Sequence, residues 1–91
     1  MELLWQTNAW EDYMYWQQTD RRIMTRINEL IKDSLRSPFN GIGKPEPLKG
    51  AYLGFWSRRI NDEHRLVYAV RGKRLHIIQC RFYFDKMMQI R

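Results

Sequence analysis

The prolines and glycines of this chain are concentrated in one segment. All three prolines and four of the five glycines lie between Pro38 and Gly54. Neither residue suits the interior of a helix or strand, and the residue before a proline is pushed towards extended backbone. Residues 37–50 are therefore predicted to form a partly stiff loop. This loop divides the chain into two halves with different apolar patterns.

The first half has helical periodicity after a short apolar run. The run at residues 3–5 suits a strand. Helical spacing over residues 9–18 predicts a first helix, with Thr7 or Asn8 as its N-cap; its periodic residues are Trp10, Tyr13, Met14 and Gln17. A second helix is predicted over residues 20–35, with one face made of Ile23, Ile27, Leu30, Ile31 and Ser34. The short break between the two predicts a helical hairpin.

The second half has the composition of strands. Residues 55–60, 65–70 and 74–82 are rich in β-branched and aromatic side chains, and good turn sequences separate them. This pattern predicts an antiparallel meander, with the N-terminal strand as a fourth member of the sheet. The expected fold is α+β in the order β-α-α-β-β-β, with the helical hairpin on one face of an antiparallel sheet and water on the other.

Size and charge limit what such a chain can do. Its 91 residues allow one small domain and exclude a two-domain enzyme or a (β/α)₈ barrel. Sixteen Lys and Arg outnumber ten Asp and Glu, which gives a net charge of +6. Residues 1–45 hold six basic and six acidic groups, whereas residues 46–91 hold ten and four. The excess in the second half indicates an anionic partner such as nucleic acid, an acidic peptide or a membrane surface.

Cysteine content and hydropathy indicate the compartment. Cys80 is the single cysteine, which excludes an internal disulfide and any multi-cysteine metal site. We expect it to be a small core residue of a strand. No apolar run approaches the roughly 20 residues that span a bilayer, and the N-terminus does not have the pattern of a secretory signal. A cytoplasmic protein with no membrane partner is the expectation.

Several basic residues are candidates for binding an anion. Arg59 and Arg65 share a face of the sheet if an odd number of residues separates their strands, and the sequence alone leaves that register open. The functional hypothesis is a phosphate-binding cluster, made of Arg59, Arg65, Arg81, Lys44 and Lys49. The alternative is that arginines on an open sheet face keep it soluble and protect its edges.

One carboxylate stands out within this basic stretch. Glu46 lies between Pro45 and Pro47, so little backbone entropy is lost when it is fixed. That suits a positioned general base, and the alternative is an ordinary polar loop residue. His64 and His76 are interpreted as a turn residue and a strand residue, because neither has neighbours at metal-ligand spacing.

These residues also carry a family resemblance. The run NELIKDSLRSPFNGIGKPEPLKG, then GFWSRRINDEHRLVYAV, then CRFYF resembles the YoeB/Txe branch of the RelE-like toxins of bacterial type II toxin–antitoxin systems. The resemblance covers residues 1–84 as one toxin domain and leaves residues 85–91 as a C-terminal tail. It implies the α+β fold predicted above. It also implies an acidic YefM-like antitoxin as a partner and a homodimer, for which Trp5 and Trp10 are either contact residues or core residues.

The resemblance further implies ribosome-dependent cleavage of mRNA in the A site, with no metal or other cofactor. In that reaction a base deprotonates a ribose 2′-OH, the oxygen attacks the adjacent phosphorus, and an acid protonates the departing 5′-oxygen. Matched to the family motif, Glu46 is the general base and Arg65 stabilises the transition-state phosphate. Lys49 and Arg59 match basic groups on the substrate side.

The sequence departs from the family pattern after Cys-Arg. The family ends in an aromatic residue followed by His-Tyr, whereas Tyr83 and Phe84 stand at those last two positions here. A tyrosine ordinarily has a pKa of about 10, against about 6.5 for histidine. Phe84 can stack on a base but has no hydroxyl. Three hypotheses follow: Tyr83 is the acid of an active nuclease, the protein only occupies the A site or binds antitoxin, or it is a plain nucleic-acid-binding module.

Overall fold

Two helices and five strands make up residues 1–82, the part of the chain that the computed structural model describes. In chain order they are β1 (Glu2–Trp5), α1 (Thr7–Thr19), α2 (Arg21–Arg36), β2 (Glu46–Pro47), β3 (Trp56–Arg59), β4 (Arg65–Arg71) and β5 (Arg74–Gln79). A 3₁₀ turn at Gly50–Tyr52 separates β2 from β3. The predicted α+β class, the two helices and the meander are confirmed. Tyr83, Phe84 and the predicted tail lie outside the described residues.

The sheet is mixed, which corrects the expectation of a wholly antiparallel one. Its order is β1-β5-β4-β3-β2. The meander β3-β4-β5 is antiparallel as predicted, but β1 pairs with β5 in parallel, with Leu3 opposite Leu75. No hairpin joins these two strands, so no local turn fixes their relative direction.

A fifth strand appears inside the predicted loop. In β2, Glu46 and Pro47 pair with β3, and the Leu48 amide donates to the Phe55 carbonyl at 2.9 Å. Proline lacks a backbone donor, so it is tolerated in a strand only at an edge. The position of β2 at the end of the sheet meets that condition.

The N-cap predicted for α1 is wrong. The short break predicted between the two helices is confirmed, since α1 ends at Thr19 and α2 begins at Arg21. The N-cap of α1 is Gln6, without a side-chain cap bond. The side chain of Asn8 instead donates to the Ile78 carbonyl at 2.7 Å and ties α1 to the sheet. Asp20 caps α2 by accepting from the amides of Arg22 and Ile23.

The two faces of the sheet both carry apolar clusters. The helix-facing core contains Cys80, which is buried as predicted at 0 % exposure but lies one residue past the end of β5. The other members of this core include Ala9, Trp16, Ile27, Leu30, Leu66, Tyr68, Leu75 and Ile77. The opposite face was expected to meet water, but Leu48, Val67 and Ile78 form a second cluster there. Tyr52 and Phe55 pack against it, because the chain after β2 folds back over the sheet. Within residues 1–82, neither helix has the length and apolar character needed to span a bilayer.

A buried guanidinium connects the sheet, the helices and the loop. Arg58 in β3 is 0 % exposed. Its Nη1 donates to Asp33 of α2 at 2.6 Å, and its Nε donates to the Tyr68 hydroxyl at 3.1 Å. The remaining donors reach the carbonyls of Ser37 (2.6 Å), Asn40 (2.9 Å) and Ile42 (3.0 Å). Every N–H of the guanidinium is thereby satisfied, which a buried charge requires.

The partners of Arg58 are themselves held in place. Asp33 also accepts from Arg36 at 2.5 Å and from the Ile42 amide at 3.0 Å. The side-chain hydrogen bonds from Arg36 and Arg58 lower the pKa of Asp33 from 3.8 to about 2. Burial raises the pKa of Tyr68, so its hydroxyl stays protonated and donates to the Pro38 carbonyl at 2.6 Å.

Replacing Arg58 should destabilise the fold strongly. We expect Arg58→Met to lower the free energy of unfolding by about 3–5 kcal/mol, because it leaves Asp33 and the loop carbonyls without their buried partner. The matched control is Arg74→Met, whose ion pair with Glu2 at 3.1 Å lies at the surface. Its cost should stay below about 1 kcal/mol. Equal losses for the two variants in urea unfolding would contradict this assignment.

The Asp33 carboxylate should make stability sensitive to acid. Its pKa is lower in the folded protein than in the unfolded chain, so its contribution is complete above pH 4 and is lost as pH falls towards about 2. We expect the melting temperature of the wild type to fall across that interval. The Asp33→Asn variant should start from a lower melting temperature and show a shallower fall. Parallel curves for the two proteins would show that another group is responsible.

Candidate functional site

Glu46 is presented by a segment that is docked against β3. The Arg59 amide donates to the Gly43 carbonyl at 2.7 Å, just before the Lys44–Pro47 stretch. Gly43 has φ +78°, and a Cβ there would lie 2.6 Å from Cδ2 of Leu30. Only glycine allows so close an approach in this backbone conformation. The tight contact fixes where the strand that carries Glu46 begins.

Strand register brings Glu46, Arg59 and Arg65 to the same face. Glu46 lies opposite Ser57, and Arg59 lies opposite Arg65. Directly paired residues point the same way, as do residues two apart along a strand. Five residues, 60–64, separate β3 from β4, so the odd-number condition for Arg59 and Arg65 is met.

The spacing of these residues suits a shared ligand. Arg59 is the diagonal neighbour of Glu46, which places their Cα atoms about 7–8 Å apart. Arg65 is one strand further, at about 12 Å from Glu46 by ordinary sheet dimensions. Long side chains cover such distances. Glu46 and Arg59 are exposed, and this face is the one opposite the helices.

Unlike the exposed side chain of Arg59, the side chain of Arg65 is buried and fixed by hydrogen bonds. It is 8 % exposed, and its Nη1 donates to the carbonyls of Asn61 at 2.5 Å and His64 at 3.0 Å. Its backbone amide donates to the Phe82 carbonyl at 3.1 Å. A guanidinium fixed by its own turn loses little entropy when it binds a phosphate, and planar N–H groups suit phosphate oxygens.

Two lysines flank the carboxylate. Lys44 precedes Pro45 and has a φ of +51°. Lys49 is the N-cap of the 3₁₀ turn and follows Leu48, a member of the second apolar cluster. Both side chains are exposed. The segment therefore carries a cation on each side of Glu46.

Arg81 has contacts that the sequence did not predict. Its guanidinium carbon lies 3.6 Å from the ring centroid of Tyr15 in α1 and 4.7 Å from that of Phe82. These contacts stack the side chain of Arg81 against α1, and its membership of a cluster with Arg59 and Arg65 stays a prediction. Cation–π contact with two rings explains this placement.

The described part of the chain ends at Phe82 in a hydrogen-bonded turn. The side-chain Nε2 of Gln79 donates to the carbonyls of Arg81 and Phe82, each at 3.0 Å. The Phe82 amide donates to Nδ1 of His64 at 2.8 Å. Phe82 has a φ of +67°, which is unusual for a residue other than glycine. The last described residue thus lies beside Arg65, with both of its backbone groups bonded.

His64 and Arg58 are the residues that sequence reasoning missed. His64 was interpreted as an ordinary turn residue, yet its ring lies 4.7 Å from that of Trp16, edge to face. Nothing in the local sequence indicates this contact. Arg58 had a signal, because it alternates with Trp56 and Ile60 on the apolar face of a strand. A positive charge on the apolar face of a strand needs a buried carboxylate as its partner, and such a position therefore predicts one.

The described side chains offer a carboxylate and several cations but no metal cluster. Among residues 1–82, no group of three His, Cys, Asp or Glu side chains is arranged to hold a metal ion. Chemically, the face can accept a proton at Glu46 and bind an anion at Arg59 and Arg65.

Comparison with known proteins identifies the family. Residues 5–84 match the model of the YoeB-like toxin of bacterial type II toxin–antitoxin systems. Toxin YoeB of Escherichia coli K12 is 60% identical over 84 residues, covering 92% of this chain and 100% of that protein.

Solved structures agree with this match. A YoeB/ParE toxin from Agrobacterium tumefaciens has a TM-score of 0.90 at 55% identity, covering 92% of this chain and 100% of its own. YoeB from Staphylococcus aureus, solved as a dimer and in a heterotetrameric complex with YefM, has a TM-score of 0.85 at 44% identity over 92% of this chain and 98% of its own. The chain therefore belongs to the YoeB family of toxins of bacterial type II toxin–antitoxin systems.

Proposed function

We propose that this toxin is a ribosome-dependent endoribonuclease that cleaves mRNA in the A site without a metal ion. The observation that carries the proposal is the shared face of Glu46, Arg59 and Arg65, which the strand register establishes. A base and a pair of guanidiniums on one face can act on the 2′-OH and the phosphate of one nucleotide. The ribosomal target implies that the protein acts in the cytoplasm.

Glu46 acts as the general base. Its carboxylate removes the proton from a ribose 2′-OH, and the resulting oxygen attacks the adjacent phosphorus in line with the departing 5′-oxygen. The bond to the 5′-oxygen breaks, leaving a 2′,3′-cyclic phosphate and a 5′-OH. The position of Glu46 between two prolines favours this role, since a preorganised base requires little further ordering.

Arg65 stabilises the phosphate in the transition state. Extra negative charge develops on the phosphoryl oxygens, and a donor fixed in advance stabilises it without reorganisation. The bonds from its guanidinium to Asn61 and His64 supply that fixed orientation. Tyr83 then donates its proton to the 5′-oxygen. The residue before it, Phe82, is anchored to the Arg65 amide through its carbonyl.

The remaining basic and aromatic residues bind the RNA. Lys49 and Arg59 are exposed next to Glu46 and contact the backbone. Arg81, which is stacked on Tyr15, and Phe84 are also proposed to contact the RNA. The net charge of +6 favours a polyanion of this kind.

Two protein partners complete the proposal. An acidic antitoxin of the YefM type neutralises the toxin, as the S. aureus complex illustrates for its own toxin. A homodimer forms through the aromatic cluster of Trp5, Trp10 and Tyr13. Trp10 is 47% exposed, while Trp5 packs against both rings at 5.7 and 4.9 Å. Trp5 therefore serves the core, and Trp10 is available to a second copy.

A second candidate is a catalytically weakened inhibitor that occupies the A site. The replacement of the family's histidine by Tyr83 favours it. Such a protein would stall translation on purified ribosomes and leave the mRNA intact.

Removing the base should abolish most cleavage. We expect Glu46→Gln to slow cleavage on purified ribosomes by about 10²–10⁴-fold, because glutamine keeps the shape but cannot take the proton. The measurement is 5′-end mapping of mRNA, with Glu11→Gln on the exposed surface of α1 as the matched control. Cleavage that survives Glu46→Gln would refute the base assignment.

The acid should have the signature of a tyrosine. We expect Tyr83→Phe to lose cleavage by a similar factor while still binding the antitoxin, since it removes only the donating hydroxyl. Wild-type cleavage should persist above pH 7 better than a histidine acid allows, because a phenol retains its proton there. A wild type that stalls translation on uncut mRNA would instead establish the A-site inhibitor.

A further inference from the structure

We propose that His64 is a positioning residue, whose neutral ring holds the amide of Phe82, the residue that directly precedes the proposed acid Tyr83 in the sequence. The inference rests on the proposed nuclease function, since it concerns the segment that carries its acid. It predicts that protonation of His64 breaks its hydrogen bond with the Phe82 amide and that cleavage is lost on the acid side of neutrality.

The hydrogen bond to Phe82 fixes the protonation state of the ring. Nδ1 of His64 accepts from the Phe82 amide at 2.8 Å. A ring nitrogen that accepts has no proton of its own, so His64 is neutral with its proton on Nε2. A protonated imidazolium carries a hydrogen on both nitrogens. Its Nδ1–H would then face the N–H of Phe82, and two donors cannot form a hydrogen bond with each other.

The bond matters because Phe82 is in a conformation that needs support. Its φ of +67° lies in the left-handed region, which residues other than glycine rarely adopt. Its carbonyl is held by the Arg65 amide at 3.1 Å and by Gln79 at 3.0 Å. The His64 ring provides the bond to its amide. Without that bond the Phe82 amide loses its partner, and only the Phe82 carbonyl remains held.

The surroundings of the ring favour its neutral form. It is packed against Trp16 of α1 and its burial is the largest cause of a lowered pKa. The charges of Arg81 and Arg65 lower the pKa further, while Glu63 in its own turn and Asp12 of α1 oppose them. The net direction is below 6.5, so the acceptor form predominates at neutral pH.

A positioning role and an acid role for His64 predict opposite pH profiles. As a positioning residue it must be neutral, so cleavage falls when pH falls through its pKa. As a general acid it would have to be protonated, and cleavage would fall when pH rises. The pair of variants His64→Asn and His64→Leu separates these cases, because Oδ1 of asparagine can accept where Nδ1 does but does not titrate.

The first test is spectroscopic and does not depend on nuclease activity. We would follow the Phe82 amide and the His64 ring by NMR in the full chain from pH 8 to pH 5. The Phe82 amide shift should move with the same midpoint as the His64 ring, below 6.5. In His64→Asn it should stay constant over this interval. An amide that ignores the His64 titration would overturn the proposal.

The second test is cleavage on ribosomes over the same pH interval. His64→Leu should cleave about 10²-fold more slowly, as a displaced catalytic group would. His64→Asn should cleave at close to the wild-type rate at neutral pH and lose less activity on acidification. His76→Asn in β5 is the matched control and should follow the wild-type profile. An unchanged rate in His64→Leu would refute the positioning role.

The two tests also separate the two proposals. If the wild type fails to cleave, the nuclease function is wrong, while the NMR titration still decides whether His64 holds Phe82. If His64→Leu does not fold, the comparison of the wild type with His64→Asn decides the matter alone.

Discussion

The buried ion pair of Arg58 and Asp33 is the interaction on which the arrangement of this toxin depends. It joins β3 to α2, and through three carbonyls it also orders the loop that would otherwise be irregular. Gly41 allows this approach, since a Cβ there would lie 1.9 Å from Oδ2 of Asp33. The loop then passes to Gly43, which meets β3 at the Arg59 amide. A buried charge therefore controls where the proline-flanked carboxylate lies.

The proposed site is assembled from two segments that are anchored separately. Glu46 is placed by the loop that Arg58 holds. Tyr83 follows a turn whose carbonyls and amide are bound by Gln79, Arg65 and His64. Arg65 lies between the two and is bonded to its own turn. Of the groups with proposed chemical roles within residues 1–82, Glu46 stands on backbone paired with β3, and Arg65 stands on backbone bonded to Phe82.

The sequence predicted the elements well because their patterns are local. Helical spacing in α2 and strand alternation in β3–β5 each follow from which side chains meet the core. The predicted antiparallel direction of β1 was wrong, because no turn connects β1 to β5 and so no local pattern indicates how they pair. The second apolar cluster was missed because Leu48 and Phe55 come together only when the chain folds back. Glu46, Arg59 and Arg65 were identified as candidates, and the register that aligns them depends on a turn length that the sequence left open. His64 was missed because its partner, Phe82, is 18 residues away.

The central claim is that Glu46, Arg59 and Arg65 act together on one link of an RNA backbone. The most direct measurement is a structure of this toxin on a ribosome with mRNA in the A site, methylated at the 2′-oxygen to prevent cleavage. The account predicts that the Glu46 carboxylate contacts the ribose at that oxygen, with Arg65 at the adjacent phosphate. A backbone that passes over another surface, with Glu46 facing solvent, would contradict it.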